Sequence, residues 1–226
     1  MKVLIFDSST LISFSMNGLL EELRKLKKQF NGKFLITSEV KYEVIDRPIN
    51  VKRFELEALR VNQLLKENTL EMPESLGIKK EDISKETDKF LSMANSMFYS
   101  GKKSISLIQS GEASCLALSR ILSKKKIPNL IAVDERTTRM LGEKPENLKK
   151  LLERKLHTGI TLKKRNFEFF KGFRFIRSTE IIYVLWKKNL LELKDSIKVL
   201  DALLYSMKFK GCAISEDEIK EIKRIK

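Results

Sequence analysis

Four carboxylates in this chain stand where a folded protein could use them: Asp7, Glu43, Glu112 and Asp134. Asp7 directly follows the apolar run Val3-Leu-Ile-Phe6, and Asp134 directly follows Leu130-Ile-Ala-Val133, so both fall where strands should end. Glu43 lies inside the helix expected after a second apolar run, and Glu112 lies in the first turn of a helix that Ser110 can cap. Acids gathered without basic partners repel one another and raise one another's pKa values, a cost that a cation among them relieves. An all-oxygen donor set selects a hard ion, so Mg²⁺ or Mn²⁺ is expected rather than zinc. Such an ion polarises a phosphodiester and acidifies a bound water. Each acid also has a plainer reading: Asp7 can start a turn, Glu43 and Glu112 can be solvated helix residues, and Asp134-Glu135 can cap a helix.

The elements that must position these acids are strands alternating with helices. Short apolar runs at Val3 to Phe6, Phe34 to Thr37, Leu130 to Val133 and Phe173 to Ile176 are each followed by a polar break and helix-like spacing. That pattern predicts an α/β fold built on a mostly parallel sheet, whose ligand-binding edge lies at the carboxyl ends of the strands. Leu19, Leu20, Leu23, Leu26 and Phe30 share one helix face that covers this sheet. The helix bearing Glu43 must end or kink at Pro48. Two helical stretches follow, about 51–68 and 83–99, where a minimal α/β unit needs only a short connection, so residues 49–104 are read as a helical insertion. Within it Leu91, Met93, Met97 and Phe98 are read as packing. Ser178, then Asp195 or Ser196, are candidate caps of later helices, and Ser215-Glu-Asp-Glu218 has capping-box spacing.

Taken together, these residues resemble a known family, the PIN-domain nucleases. Val3-Leu-Ile-Phe-Asp7-Ser-Ser9-Thr-Leu-Ile12 is similar to the family's first motif, and Ile36-Thr-Ser-Glu-Val-Lys-Tyr-Glu43-Val to its second. Ser110-Gly-Glu112-Ala-Ser-Cys-Leu-Ala-Leu118 resembles the Gly-Glu-Ala form of the third. Ile131-Ala-Val-Asp134-Glu135 with Arg139 resembles the fourth, an acid pair followed by arginine, and Phe175-Ile-Arg-Ser-Thr-Glu-Ile-Ile-Tyr-Val-Leu185 resembles the last strand and helix. The likeness covers about residues 1–45 and 105–224 and leaves the insertion outside it. It implies a single domain over 1–226 with a three-layer α/β/α fold, Mg²⁺ or Mn²⁺, and hydrolysis of single-stranded or structured RNA to a 5′-phosphate and a 3′-hydroxyl. It also implies that Asp7, Glu112 and Asp134 hold the metal, that Glu43 is a ligand or positions water, and that Ser9 orients Asp7. Glu135 is the alternative fourth acid. Small homodimers are common in the family, and a protein inhibitor or processing partner is a further expectation. Where family members commonly carry glycine this chain has Ser178-Thr-Glu180, and Glu180 is read as a first-turn helix acid.

Composition agrees with a nucleic-acid partner. The chain has 226 residues and a net charge of +15, of the sign that attracts a polyanion. Residues 144–177 hold 11 Lys or Arg against three Glu, which makes Lys149, Lys150, Arg154, Lys155, Lys163, Lys164 and Arg165 the candidate RNA contacts. Within that segment Asn166 to Phe175 alternates aromatics with charge around Lys171-Gly172 and reads as a hairpin, its phenylalanines facing a core rather than stacking on bases. Cys115 and Cys212 are far apart and form no zinc pattern. The sole histidine, His157, has no supporting cast for a catalytic triad. No apolar run is long enough for a signal-peptide core or a membrane span, so a soluble, cytoplasmic protein is expected.

Two other classes compete. A phosphatase forming an aspartyl-phosphate also begins with a strand ending in aspartate, but Ser9 stands where its second aspartate is needed. A non-catalytic scaffold of the same fold would bind RNA through charge alone.

Overall fold

The computed structural model describes residues 1–143, 145–162, 164–194 and 197–225, with backbone alone at 145 and 164–166. Lys163, the side chains of the RNA-contact candidates Lys164 and Arg165, and the cap expected at Asp195 or Ser196 therefore lie outside the described residues.

Strand β1 (Lys2–Phe6) leads into helices α1 (Ser8–Met16) and α2 (Leu20–Gln29). Strand β2 (Gly32–Leu35) leads into α3 (Ser38–Lys41), which continues as a wider π turn over Tyr42–Asp46 and a 3₁₀ turn over Pro48–Asn50. The proline closes this helix as expected, since it donates no hydrogen bond. Then come α4 (Glu55–Lys66), α5 (Lys80–Asn95), β3 (Phe98–Ser100), β4 (Lys103–Ser104) and α6 (Ser110–Lys124). Strand β5 (Asn129–Ala132) precedes α7 (Arg136–Glu143) and α8 (Pro145–Leu156), and β6 (Ile160–Leu162) precedes a 3₁₀ segment, Lys164–Phe170. Strand β7 (Phe175–Ile176), α9 (Ser178–Lys187), α10 (Ile197–Phe209) and α11 (Glu216–Arg224) complete the described chain.

The four apolar runs all enter one parallel sheet in the order β2-β1-β5-β7. Val3, Leu4, Ile5 and Phe6 are all buried, which requires cover on both faces and explains why β1 is a continuous apolar run rather than an alternating one. Helix α6 packs on β1 and β5 with α5 along it, while α1 meets α9 and α9 meets α10. The result is an α/β fold of three layers, helix, sheet and helix, as the periodicity predicts.

The segment 49–104 holds α4, α5 and the β3–β4 pair. At Glu71 it touches the edge of the main sheet: the Ile36 amide donates to the Glu71 carbonyl at 3.1 Å, and the Glu71 amide to the Phe34 carbonyl at 2.8 Å. Met97 and Phe98 are buried there as packing, whereas Met93 faces solvent.

The expected hairpin around Lys171-Gly172 does not form. Residues 164–170 wind as a 3₁₀ segment, β6 pairs antiparallel with β3, and β7 joins the main sheet beside β5. The reason is the aromatic cluster. Phe169, Phe170 and Phe173 converge on Phe90 of α5 with ring centroids 4.8, 5.6 and 5.6 Å away. The Arg120 guanidinium lies 4.3 and 4.0 Å from the Phe90 and Phe169 centroids. Burying these rings and stacking a cation on them outweighs a two-stranded ladder that would leave half of them in water.

Candidate active site

From β1 the chain passes to β2 on one side and later places β5 on the other side of β1. The strand order therefore reverses between β1 and β5, and the crevice beyond their carboxyl ends is where an open parallel sheet takes a ligand. Asp7 follows one strand and Asp134-Glu135 the other. Ser9 joins them: its hydroxyl donates to Asp7 Oδ2 at 2.6 Å and accepts the Asp134 amide at 3.0 Å.

Asp7 caps α1, its Oδ2 also accepting the Ser9 amide at 3.1 Å. Its other oxygen, Oδ1, is buried and has no hydrogen-bond partner. The residue is only 1% exposed. Burial pushes this carboxyl up to about 6 against the two bonds from Ser9, and the charge of Glu43 adds to the rise.

Glu112 occupies the first turn of α6, where one carboxylate oxygen accepts the Gln109 amide at 2.8 Å. The cap is Gln109 rather than Ser110, one residue earlier than expected. Burial first, and the charge of Asp7 second, raise the Glu112 carboxyl to about 7, with Glu135 contributing further. Glu43 sits in the π turn after α3. Such turns reorient a helical side chain and recur at functional sites. Its carboxylate lies against the start of α6 so closely that a Cβ at Gly111 would come within 2.5 Å of Oε2. Asp7, Glu43, Glu112 and Glu135 line one cleft of about 570 Å³, together with Ser9, Ile12, the stretch Ser106 to Gln109, and Lys155.

Asp134 does not line it. Both of its oxygens are taken, Oδ2 by the Ser13 hydroxyl at 2.8 Å and Oδ1 by the Ser178 amide at 2.8 Å. It is 1% exposed and fastens α1 and the start of α9 to the end of β5. A negative charge is well placed at the N-terminus of α9. The fourth acid of the cleft is thus Glu135, which projects into solvent and caps α7 through the Thr137 amide at 3.1 Å. The correction has a simple cause: neighbouring residues after a strand point in different directions, and the sequence does not show which faces the crevice. Ser13 as a partner of Asp134 went unanticipated, although its position four residues after Ser9 on α1 was a legible signal.

Arg139 also departs from expectation. It points away from the cleft, donating to the Ala213 carbonyl at 3.1 Å and lining a separate charged hollow with Glu143, Arg177 and Glu180. Glu180 is a first-turn acid as read, accepting the Arg177 amide at 2.5 Å and pairing with its guanidinium. Of the candidate basic contacts, Lys149, Lys150, Arg154 and Lys155 all lie on α8. Lys149 pairs with Glu153 at 3.6 Å, and Lys155 alone of the four lines the acid cleft.

Compared with known protein families, curated proteins and solved structures, the chain matches none of them. Among the described residues no group of three or more acids, histidines or cysteines is drawn together tightly enough to hold a metal ion. The donor set is nevertheless all oxygen, one carboxylate oxygen is buried without a partner, and burial, with neighbouring acids adding to it, holds two carboxyls above their ordinary range. Burying an unpaired acceptor is costly, and a hard divalent ion removes both that cost and the repulsion. No helix among the described residues is long and apolar enough to cross a membrane.

Proposed function

We propose that this chain is a nuclease of the PIN-domain kind that hydrolyses RNA with Mg²⁺ or Mn²⁺. The observation that carries the reading is Asp7, which keeps one buried carboxylate oxygen without a donor and lines, with three further acids, a cleft at the switch point of a parallel sheet. Asp7, Glu112 and Glu135 would hold the ion, with Glu43 beside them. Bound there, the ion would supply positive charge to the scissile phosphate and lower the pKa of a water.

The chain's own residues do the rest. Ser9 fixes the rotamer of Asp7 and so the direction in which Oδ1 points. Glu43, whose carboxylate lies against the start of α6, would position the attacking water or take its proton. Lys155 offers the cleft a positive charge for a neighbouring phosphate. Ser9, hydrogen-bonded to both Asp7 and the Asp134 amide, supplies no acid-base group of the kind an aspartyl-phosphate enzyme needs.

The retreat of Glu112 onto the Gln109 amide favours a second reading, an RNA-binding scaffold that binds no ion. One experiment separates the two. Purified protein, a labelled single-stranded RNA and Mn²⁺ should give cleavage that EDTA stops and that Asp7→Asn abolishes, with RNA retention kept. Binding without metal-dependent cleavage, and no gain in melting temperature on adding Mn²⁺, would leave the scaffold.

A further inference from the structure

Beside the acid cleft the surface opens into a second groove of about 510 Å³, lined mainly by Ile12, Met16, Val51, Phe54 and Val61, with Arg47 among them. Ile12 and Glu43 line both hollows, so the groove continues the cleft. Its apolar side chains are left open: Ile12, Met16, Val51 and Phe54 keep 42%, 48%, 42% and 43% of their surface exposed. A contiguous exposed apolar patch marks a binding surface more often than chance placement does.

The chemistry of the lining narrows the occupant. Phe54 presents a ring at the entrance to α4, and the Arg53 guanidinium lies 5.4 Å from its centroid. Aromatic rings and arginine planes together are the surfaces on which unpaired bases stack. Glu43, Arg47 and Glu57 put polar groups around the apolar floor, which suits a flat ring with hydrogen-bonding edges better than an aliphatic helix face. The cations are also distributed along one path. Arg47 lines the groove and not the cleft, and Lys155 lines the cleft and not the groove, so a strand crossing the acids meets a positive charge in each.

We infer that this groove holds an unpaired base of the RNA strand whose neighbouring phosphate lies in the acid cleft, with Phe54 as the stacking platform and Arg47 as contact to an adjacent phosphate. The inference rests on the nuclease reading and adds to it a specificity: the strand must be single where it enters the groove, at a fixed offset from the bond that is cut. A base locked in a duplex presents only its edge and cannot lie on Phe54.

The test is an abasic scan with the wild-type protein. Fluorescein-labelled unstructured RNA oligonucleotides, each lacking one base, are titrated without metal and followed by anisotropy, and the intact strand is cut with Mn²⁺ to place the scissile bond. Loss of affinity of about tenfold or more is expected at one or two positions on one side of that bond. Phe54→Ala should bind the intact and abasic strands alike, and Arg47→Ala should weaken all of them uniformly. A flat scan from a protein that still cuts the intact strand overturns the base subsite and leaves the nuclease standing. No cutting and no binding by the wild type overturns both. A flat scan with a dimer that Phe54→Ala converts to monomer in sedimentation assigns the groove to a second copy of the chain and overturns the base subsite. Because the scan needs only wild-type protein, a variant that fails to fold does not remove the test.

Discussion

Asp7 and Asp134 end neighbouring parallel strands, yet Asp134 has both carboxylate oxygens satisfied while Asp7 leaves Oδ1 buried with no donor. The same residue type at equivalent places in the sheet is therefore held in two ways, one fully bonded and one with an oxygen left open. Asp134→Asn should destabilise the fold by about 1–2 kcal/mol, because it removes the negative charge at the N-terminus of α9 and leaves one oxygen, on the Ser178 N–H, with an amide donor toward Ser13. Asp7→Asn should keep or raise stability near neutral pH and abolish cleavage. Thermal melts of both variants beside an RNA cleavage assay check this, and an Asp134→Asn protein that melts like the wild type would contradict the structural role.

Burial, with a smaller push from neighbouring acids, sets the acidity of the cleft. The folded values of about 6 for Asp7 and about 7 for Glu112 lie above the ordinary values, 3.8 and 4.5. The folded chain therefore keeps protons that the unfolded chain has released, and stability of the metal-free protein rises as pH falls from above 7 toward 4.5. Glu218, held at about 2 by the Ser215 amide and Arg177, acts oppositely, but its contribution is lost only as pH falls below its ordinary 4.5. Melting without metal should thus occur several degrees higher at about pH 5.5 than at about pH 8. Excess Mn²⁺ should shrink that difference by taking the place of the protons. A melting temperature that falls steadily as pH drops from about 8 to about 5.5 would dismiss the raised carboxyls.

Glu135, not Asp134, lines the cleft. Glu135→Gln should weaken Mn²⁺ affinity roughly 10- to 100-fold, in line with losing one hard ligand, while hardly moving the metal-free melting temperature. Isothermal titration with Mn²⁺ reads it directly. Unchanged affinity would return the fourth position to another group.

Gly111→Ala is a small change with a pointed consequence. The helix start should accept alanine, but the new Cβ would stand 2.5 Å from Glu43 Oε2 and push that carboxylate aside. Folding should persist with stability within about 1 kcal/mol, and cleavage should drop by about tenfold or more if Glu43 handles a proton. Equal activity would remove Glu43 from the chemistry.

Of the basic side chains on α8, Lys155 alone faces the cleft. Lys155→Ala should lower the slope of log affinity against log salt by about one, and Lys149→Ala by less, because Lys149 already has Glu153 as partner. Filter binding across a salt series distinguishes them.

Much of the architecture was legible because it is written in local pattern. Four apolar runs with helical spacing between them specify a parallel sheet whose carboxyl edge binds ligands, and Asp7 at a strand's end, Glu43 inside the helix after the second run and Glu112 in a first turn could be assigned to that edge. The aromatic stretch 166–175 misled, since period-two phenylalanines look the same whether they face a strand partner or collapse around Phe90 and Arg120. That choice depends on α5 and α6, which lie far away in sequence.

By itself the sequence determined the α/β class, the strands, the acids at strand ends and the positive field, because hydrophobic period, capping chemistry and net charge are local or additive properties. Only the tertiary structure decided which of Asp134 and Glu135 faces the cleft, where Arg139 turns, that Lys155 reaches the acids, and that an open apolar groove adjoins them. Each of those depends on side-chain direction and on partners such as Ser13 and Ser178, which chain folding brings to Asp134 from 121 and 44 residues away.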